Sequence, residues 1–234
     1  MSSAVLRAVA VVVALAVVAW VALTFTGRLF RSADHLTGTF TGVSRLHVAT
    51  GFETVEIIGS GSATGVSVDR DWSWSMRKPR TATTRAGDTL TLTSECLFTP
   101  GPECRGTVRI VVPPGVAVEA ATADGDLRVD NLSGPVTLNA GDGAIAADRL
   151  HAPQVTAETG DGDVHLVFSE APAAVRVASN DGDVHVELPG AGGPYRVTAR
   201  TADGEQAVTV PTDPAANRHV DVTTQDGTIQ VSAR

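Results

Sequence analysis

Aromatic residues are scarce in this chain: three Trp, one Tyr and six Phe among 234 residues, or 4%. So few large rings suit a narrow interior of small aliphatic side chains better than a thick globular core. Lysine is rarer still. One Lys and seventeen Arg face twenty-six Asp and Glu, for a net charge of −8 and a pI near 5.1. That balance rules against a nucleic-acid binder held by a basic face. There are two Cys and no His near them, too few ligands for a zinc site. No Gly-x-Ser-x-Gly, His-Glu-x-x-His or P-loop is present, so no catalytic residue and no cofactor is assigned. Twenty-three Gly and twelve Pro argue against an all-helical protein. The preference for Arg over Lys, with abundant Ala, Val and Gly, suggests a GC-rich bacterial genome.

What is present begins with one apolar run. Ala8 to Phe25 carries no charge and is bounded by Arg7, Arg28 and Arg31. At ~1.5 Å per residue it reaches roughly 27 Å, just enough to cross a hydrocarbon core. A cleaved signal peptide needs an A-x-A-like site after a shorter core, and none fits well. The expectation is a signal anchor over 8–26, with residues 1–7 cytoplasmic, a linker over 27–39 and a domain over 40–234. Flanking charges barely decide the orientation. Cys96 and Cys104 do, because Pro100–Gly101–Pro102 lies between them and a disulfide clamping that turn implies an oxidising compartment. Two unpaired thiols are the alternative. The strands before the loop (Leu90, Leu92) and after it (Val108, Ile110, Val112) read as a pair. The expected location is the cell membrane, single-pass, with the C-terminal domain extracytoplasmic.

From about residue 118 the sequence repeats a strand, an Asp–Gly turn and a strand. The turns are Asp124–Gly125, Asp142–Gly143, Asp161–Gly162, Asp181–Gly182, Asp203–Gly204 and Asp226–Gly227, spaced 18, 19, 20, 22 and 23 residues apart. Apolar residues alternate after each turn (Leu127/Val129, Val164/Leu166) and before it (Val136/Leu138, Val175/Val177), the mark of strands with one buried face. Gly is expected because the turn needs positive φ, and Asp because it accepts local backbone hydrogen bonds. Either a β-solenoid with parallel stacked coils or an antiparallel meander with Asp–Gly hairpins buries these faces. The constant phase and a period of roughly 20 residues favour the solenoid. The acid is concentrated here: residues 121–234 hold 17 Asp and Glu against 7 Arg. The first half is β but less regular. In it Val66, Val68, Trp72, Trp74 and Met76 share one parity, so Trp72 and Trp74 are expected to face the core.

Thr159–Gly160–Asp161–Gly162–Asp163–Val164 and Ser179–Asn180–Asp181–Gly182–Asp183–Val184, with the step Val111–Val112–Pro113–Pro114–Gly115, resemble the bacterial putative-adhesin family of β-strand-repeat proteins, which is similar to autotransporter-adhesin head domains. The resemblance covers roughly residues 40–234. It implies an all-β, single-stranded right-handed β-solenoid, membrane tethering and an extracytoplasmic location, with no catalytic residues. Glu205 and Thr228 replace the second Asp in the last two repeats.

Stacked turns would bring Asp124, Asp142, Asp161, Asp181, Asp203 and Asp226 together on one edge. Their spacing matches neither the nine-residue calcium repeat nor the EF-hand loop, so turn formation is the simpler role and no metal is assigned. His165 and His185 occupy equivalent outward positions without a third ligand. The function expected is an adhesin-like binding or display module with no catalytic activity, whose partners are the membrane and a cell-surface glycan or protein. The alternatives are an envelope scaffold or signalling accessory that assembles through solenoid ends, and a polysaccharide-acting enzyme.

Overall fold

The computed structural model describes residues 13–15, 17, 18, 20, 31–75, 77–96 and 104–234. Residues 13–15, 17, 18 and 20 are helical and exposed. Among the described residues no helix is long and apolar enough to cross a membrane. The rest of the expected 8–26 anchor lies outside the described residues.

Period-two alternation becomes strand nearly everywhere from Arg31 onward. The less regular half contains β1 (Arg31–Thr41), β2 (Arg45–Thr50), β3 (Glu53–Gly59), β4 (Gly65–Ser75), β5 (Arg80–Ala86), β6 (Thr89–Glu95) and β7 (Cys104–Val112). The repeats supply β8 (Ala117–Thr122), β9 (Leu127–Asp130), β10 (Val136–Ala140), β11 (Ile145–Leu150), β12 (Gln154–Thr159) and β13 (Val164–Phe168). They continue with β14 (Ala174–Ser179), β15 (Val184–Leu188), β16 (Arg196–Asp203), β17 (Gln206–Val208), β18 (His219–Asp226) and β19 (Ile229–Ala233). The first sheet runs β1-β4-β7-β3-β9-β11-β13-β15-β19-β17 and the second β16-β18-β14-β12-β10-β8-β2-β6-β5.

Each repeat gives one strand to each sheet, and equivalent strands lie parallel and in register. Val136 sits between Val118 and Val155, and Ile145 between Leu127 and Val164. The Asp–Gly turns therefore join strands of different sheets and close no hairpin; the solenoid holds and the meander does not. The inward residues of both sheets fill one core. Leu46, Ile57, Leu90, Leu92, Ile110, Leu127, Leu138 and Leu166 are fully buried. Each such side chain contributes roughly 1.5–3 kcal/mol by leaving water.

The stack does not follow the order of the chain. The last repeat, β18–β19, lies between β14–β15 and β16–β17, and β2–β3 lies between β8–β9 and β6–β7. The expected Asp order is corrected accordingly: Asp226 adjoins both Asp181 and Asp203. The expected pairing of the strands before and after the disulfide loop is corrected as well. β6 bonds β2 and β5 in the second sheet while β7 bonds β3 and β4 in the first, so these two strands are not partners. Strand β1 pairs antiparallel with β4 from Arg31 to Thr41, so residues 31–39 of the expected linker are strand. At the far end Tyr195 is fully buried under the Pro211–Ala216 segment, with its backbone bonded to Pro211 and Asp213.

Candidate functional site

The Asp–Gly edge is built by close backbone approach. A Cβ on Gly143 would lie 1.9 Å from the Gly125 carbonyl oxygen, on Gly162 2.2 Å from that of Gly143, and on Gly182 2.3 Å from that of Gly162. Gly125 itself would meet the Glu53 carbonyl at 2.0 Å. Positive φ, the reason the sequence suggests, applies only to Gly204 and Gly227. At the other four turns no side chain fits between the coils. One hydroxyl per coil uses the same carbonyls. Thr159 Oγ1 donates to Gly143 O at 2.9 Å, Ser179 Oγ to Gly162 O at 3.2 Å and Thr224 Oγ1 to Gly182 O at 3.2 Å. All three donors are buried, which makes the bonds structural. Gly143→Ala should cost about 3 kcal/mol by overpacking, read as a lowered urea midpoint. Gly61→Ala, whose Cβ meets nothing within 4 Å, should leave the midpoint unchanged.

The carboxylates divide into two roles. Asp163 Oδ1 accepts the Asp183 N–H at 2.9 Å and Asp183 Oδ1 accepts the Thr228 N–H at 2.7 Å, so the second Asp of a repeat clamps the next coil. Glu205 stands in the outermost coil, where no further coil needs that acceptor. The first Asp of each repeat is exposed. Loss of solvent holds the Asp181 carboxyl above its ordinary value, and the charges of Asp226 and Asp161 add to the effect. A raised folded pKa means that ionised Asp181 opposes folding, and the penalty is relieved as pH falls through that pKa toward 3.8. Asp181→Asn should therefore raise the melting temperature at pH 7, with the gain shrinking to nothing below about pH 3.8. Among the described residues the one group of three potential metal ligands within 4.8 Å of one another is His35, Asp69 and Asp71, all exposed. The Asp turns form no such group.

His165 and His185 do come together, stacked with centroids 5.1 Å apart and planes 14° apart. They stand on the outer face of the first sheet, and His185 Nε2 lies 3.1 Å from Glu187 Oε1. Beside them the face is hollowed into a groove of about 610 Å³. Ala146 follows Arg128 and precedes His165 in one cross-strand row, and its small side chain leaves the gap. Asp130 and Asp148 adjoin in the next row, and Glu56, Glu187, Arg149 and Arg234 complete the walls. A register shift between Ala147 and Leu150 puts Arg149 at φ +51°, the left-handed region that a side chain of its size rarely adopts. Its guanidinium pairs with Asp130 Oδ2, while Asp130 Oδ1 is shielded from water and has no hydrogen-bond partner.

Residues 116–232 match the Toastrack DUF4097 family. The chain belongs to the Toastrack DUF4097 family. This agrees with the resemblance drawn from the repeats. Solved structures similar to this Toastrack chain include one from Clostridium sporogenes described as a putative cell adhesion protein. It shares 13% identity at a TM-score of 0.47, covering 87% of this chain and 100% of that one. A putative adhesin from Bacteroides fragilis shares 11% identity at a TM-score of 0.45, over 87% and 97% of the two chains. One from Parabacteroides merdae shares 10% identity at 0.36, over 87% and 96%. A search of curated proteins finds no match.

The coils before the Toastrack match hold what the sequence does not announce. Arg70, in phase with Val66, Val68 and Trp72, is fully buried and grips the equally buried Glu53. Arg70 Nε donates to Oε1 at 2.7 Å and Nη2 to Oε2 at 2.6 Å, and Ser94 Oγ donates to Oε2 at 2.5 Å. Glu53 adjoins Gly106 in register, and its side chain occupies the space a Cβ there would need. Trp72 is buried as expected, whereas Trp74 is half-buried beneath Lys78, whose Nζ lies 5.4 Å from the ring centre. The Cys96–Cys104 disulfide, with Cα atoms 6.1 Å apart, closes this coil where the repeats have Asp–Gly.

Proposed function

We propose that the protein is a single-pass, membrane-anchored module whose Toastrack domain stands outside the membrane and binds or displays rather than catalyses. The observation that carries the reading is the outer face of the first sheet. There the coils hold a groove walled by charged side chains, with a stacked imidazole pair at fixed register beside it. Two of the repeat carboxylates, Asp163 and Asp183, are engaged in joining coils, which gives them a structural role in place of a catalytic one. The uncharged run from Ala8 to Phe25 supports the anchor, and the Cys96–Cys104 disulfide supports the oxidising side. Protease added to intact cells should remove a C-terminal tag, and liposomes carrying the full chain should adhere to whole bacterial cells. Full protection of the tag would overturn the orientation, and liposomes that adhere no better than empty ones would overturn the binding role.

A further inference from the structure

We infer that the groove on the first sheet binds a linear, neutral saccharide laid across the strands. The inference rests on the binding reading above and names its ligand class. From Glu56 on β3 to Glu187 on β15 the groove crosses five adjacent strands. At ~4.8 Å per strand that is about 19 Å, room for a short oligosaccharide.

The groove's chemistry fits hydroxyl groups. Its carboxylates accept from hydroxyls, and its guanidinium groups donate to hydroxyl and ring oxygens. Much of the charge is already matched: Arg149 with Asp130, and Arg128 Nη2 with Asp126 at 2.8 Å. A polyanion or a polycation would leave one sign unanswered. Asp148 has no ion-pair partner among the described residues. An extended peptide fits less well. Strand addition needs an open sheet edge, and β9, β11 and β13 are bonded on both sides. The floor offers Ala146 and Val167 but no row of apolar pockets for alternate side chains.

The full chain in nanodiscs would be titrated by calorimetry with cellotetraose, tetra-N-acetylchitotetraose and tetragalacturonate. At least one neutral tetrasaccharide should bind at concentrations up to about 1 mM, and Asp148→Ala and Glu187→Ala should each weaken it about tenfold. Arg176→Ala, on the second sheet, should leave binding unchanged, and unchanged melting temperatures would show that all three variants are folded. Silence from both neutral sugars, binding of tetragalacturonate alone, or binding indifferent to Asp148→Ala and Glu187→Ala would overturn the inference. If liposomes carrying the chain still adhere to cells in those cases, the binding role stands and the groove assignment alone falls. If they do not, both fall.

Discussion

Truncation after Ala216 should unfold more of the protein than the strands it removes. Ordered by sequence alone, the deleted segment would be the end of the stack and its loss would trim one coil. Among the described residues β18 and β19 are the only sheet partners of β16 and β17, so removing them strands the outermost coil. Val220, Val222, Ile229 and Val231 are fully buried, and their loss at roughly 1.5–3 kcal/mol each approaches the whole stability of an ordinary domain. The converse deletion should be tolerated. Removing Pro194–Arg218 joins Leu188 to His219 through Pro189–Gly193, five residues, the same length as Ser169–Ala173 between β13 and β14. Strands β18 and β19 already bond β14 and β15, so no pairing inside the remaining stack changes. Urea unfolding and limited proteolysis would compare the two. A truncated chain that still protects Arg196–Asp203, or an internal deletion that melts like the truncation, would contradict the inserted coil.

The order of coils was not legible because side-chain parity fixes which face is buried but not which neighbour a coil takes. A faint signal is present: the last two spacings, 22 and 23 residues, exceed the earlier ones, and the last repeat holds the ten-residue connection from Thr209 to Arg218 that brings the chain back over one coil. Other features were legible for sound reasons. Parallel stacking followed from constant phase, and the disulfide from an even count around a turn. Glycine is legible as a requirement, but its cause is misassigned at four of the six turns, since positive φ and close backbone contact leave the same residue in the sequence. The groove is not legible because Asp130, Asp148 and Arg149 belong to no motif that sets them apart from solvated charges. What singles them out is a register shift and a left-handed Arg149, and neither has a sequence signature.

Glu53→Ala should be the most damaging single substitution in the N-terminal coils. It leaves the Arg70 guanidinium fully buried without its bidentate acceptor, a loss of about 3–5 kcal/mol for a broken buried pair. Ser94 Oγ would lose its acceptor too, while Trp72 over Arg70 at 5.7 Å compensates little of the desolvation. Arg70→Met should cost a comparable amount by leaving the Glu53 carboxylate buried without a cation. The double variant Glu53→Leu with Arg70→Met removes both charges, and compared with Glu53→Leu and Arg70→Met as the two singles it should recover most of what either change loses. Such recovery in a double-mutant cycle of urea unfolding would show that the pair fixes the geometry of the cap more than it adds net stability. A double variant as unstable as the sum of the singles would instead assign the cost to lost packing around Gly106, where the Glu53 side chain takes the place of a Cβ. Because β3 and β7 are held in register beside this pair, its loss should loosen the Cys104 end of β7 before the repeats, visible as early hydrogen exchange at Gly106 and Thr107.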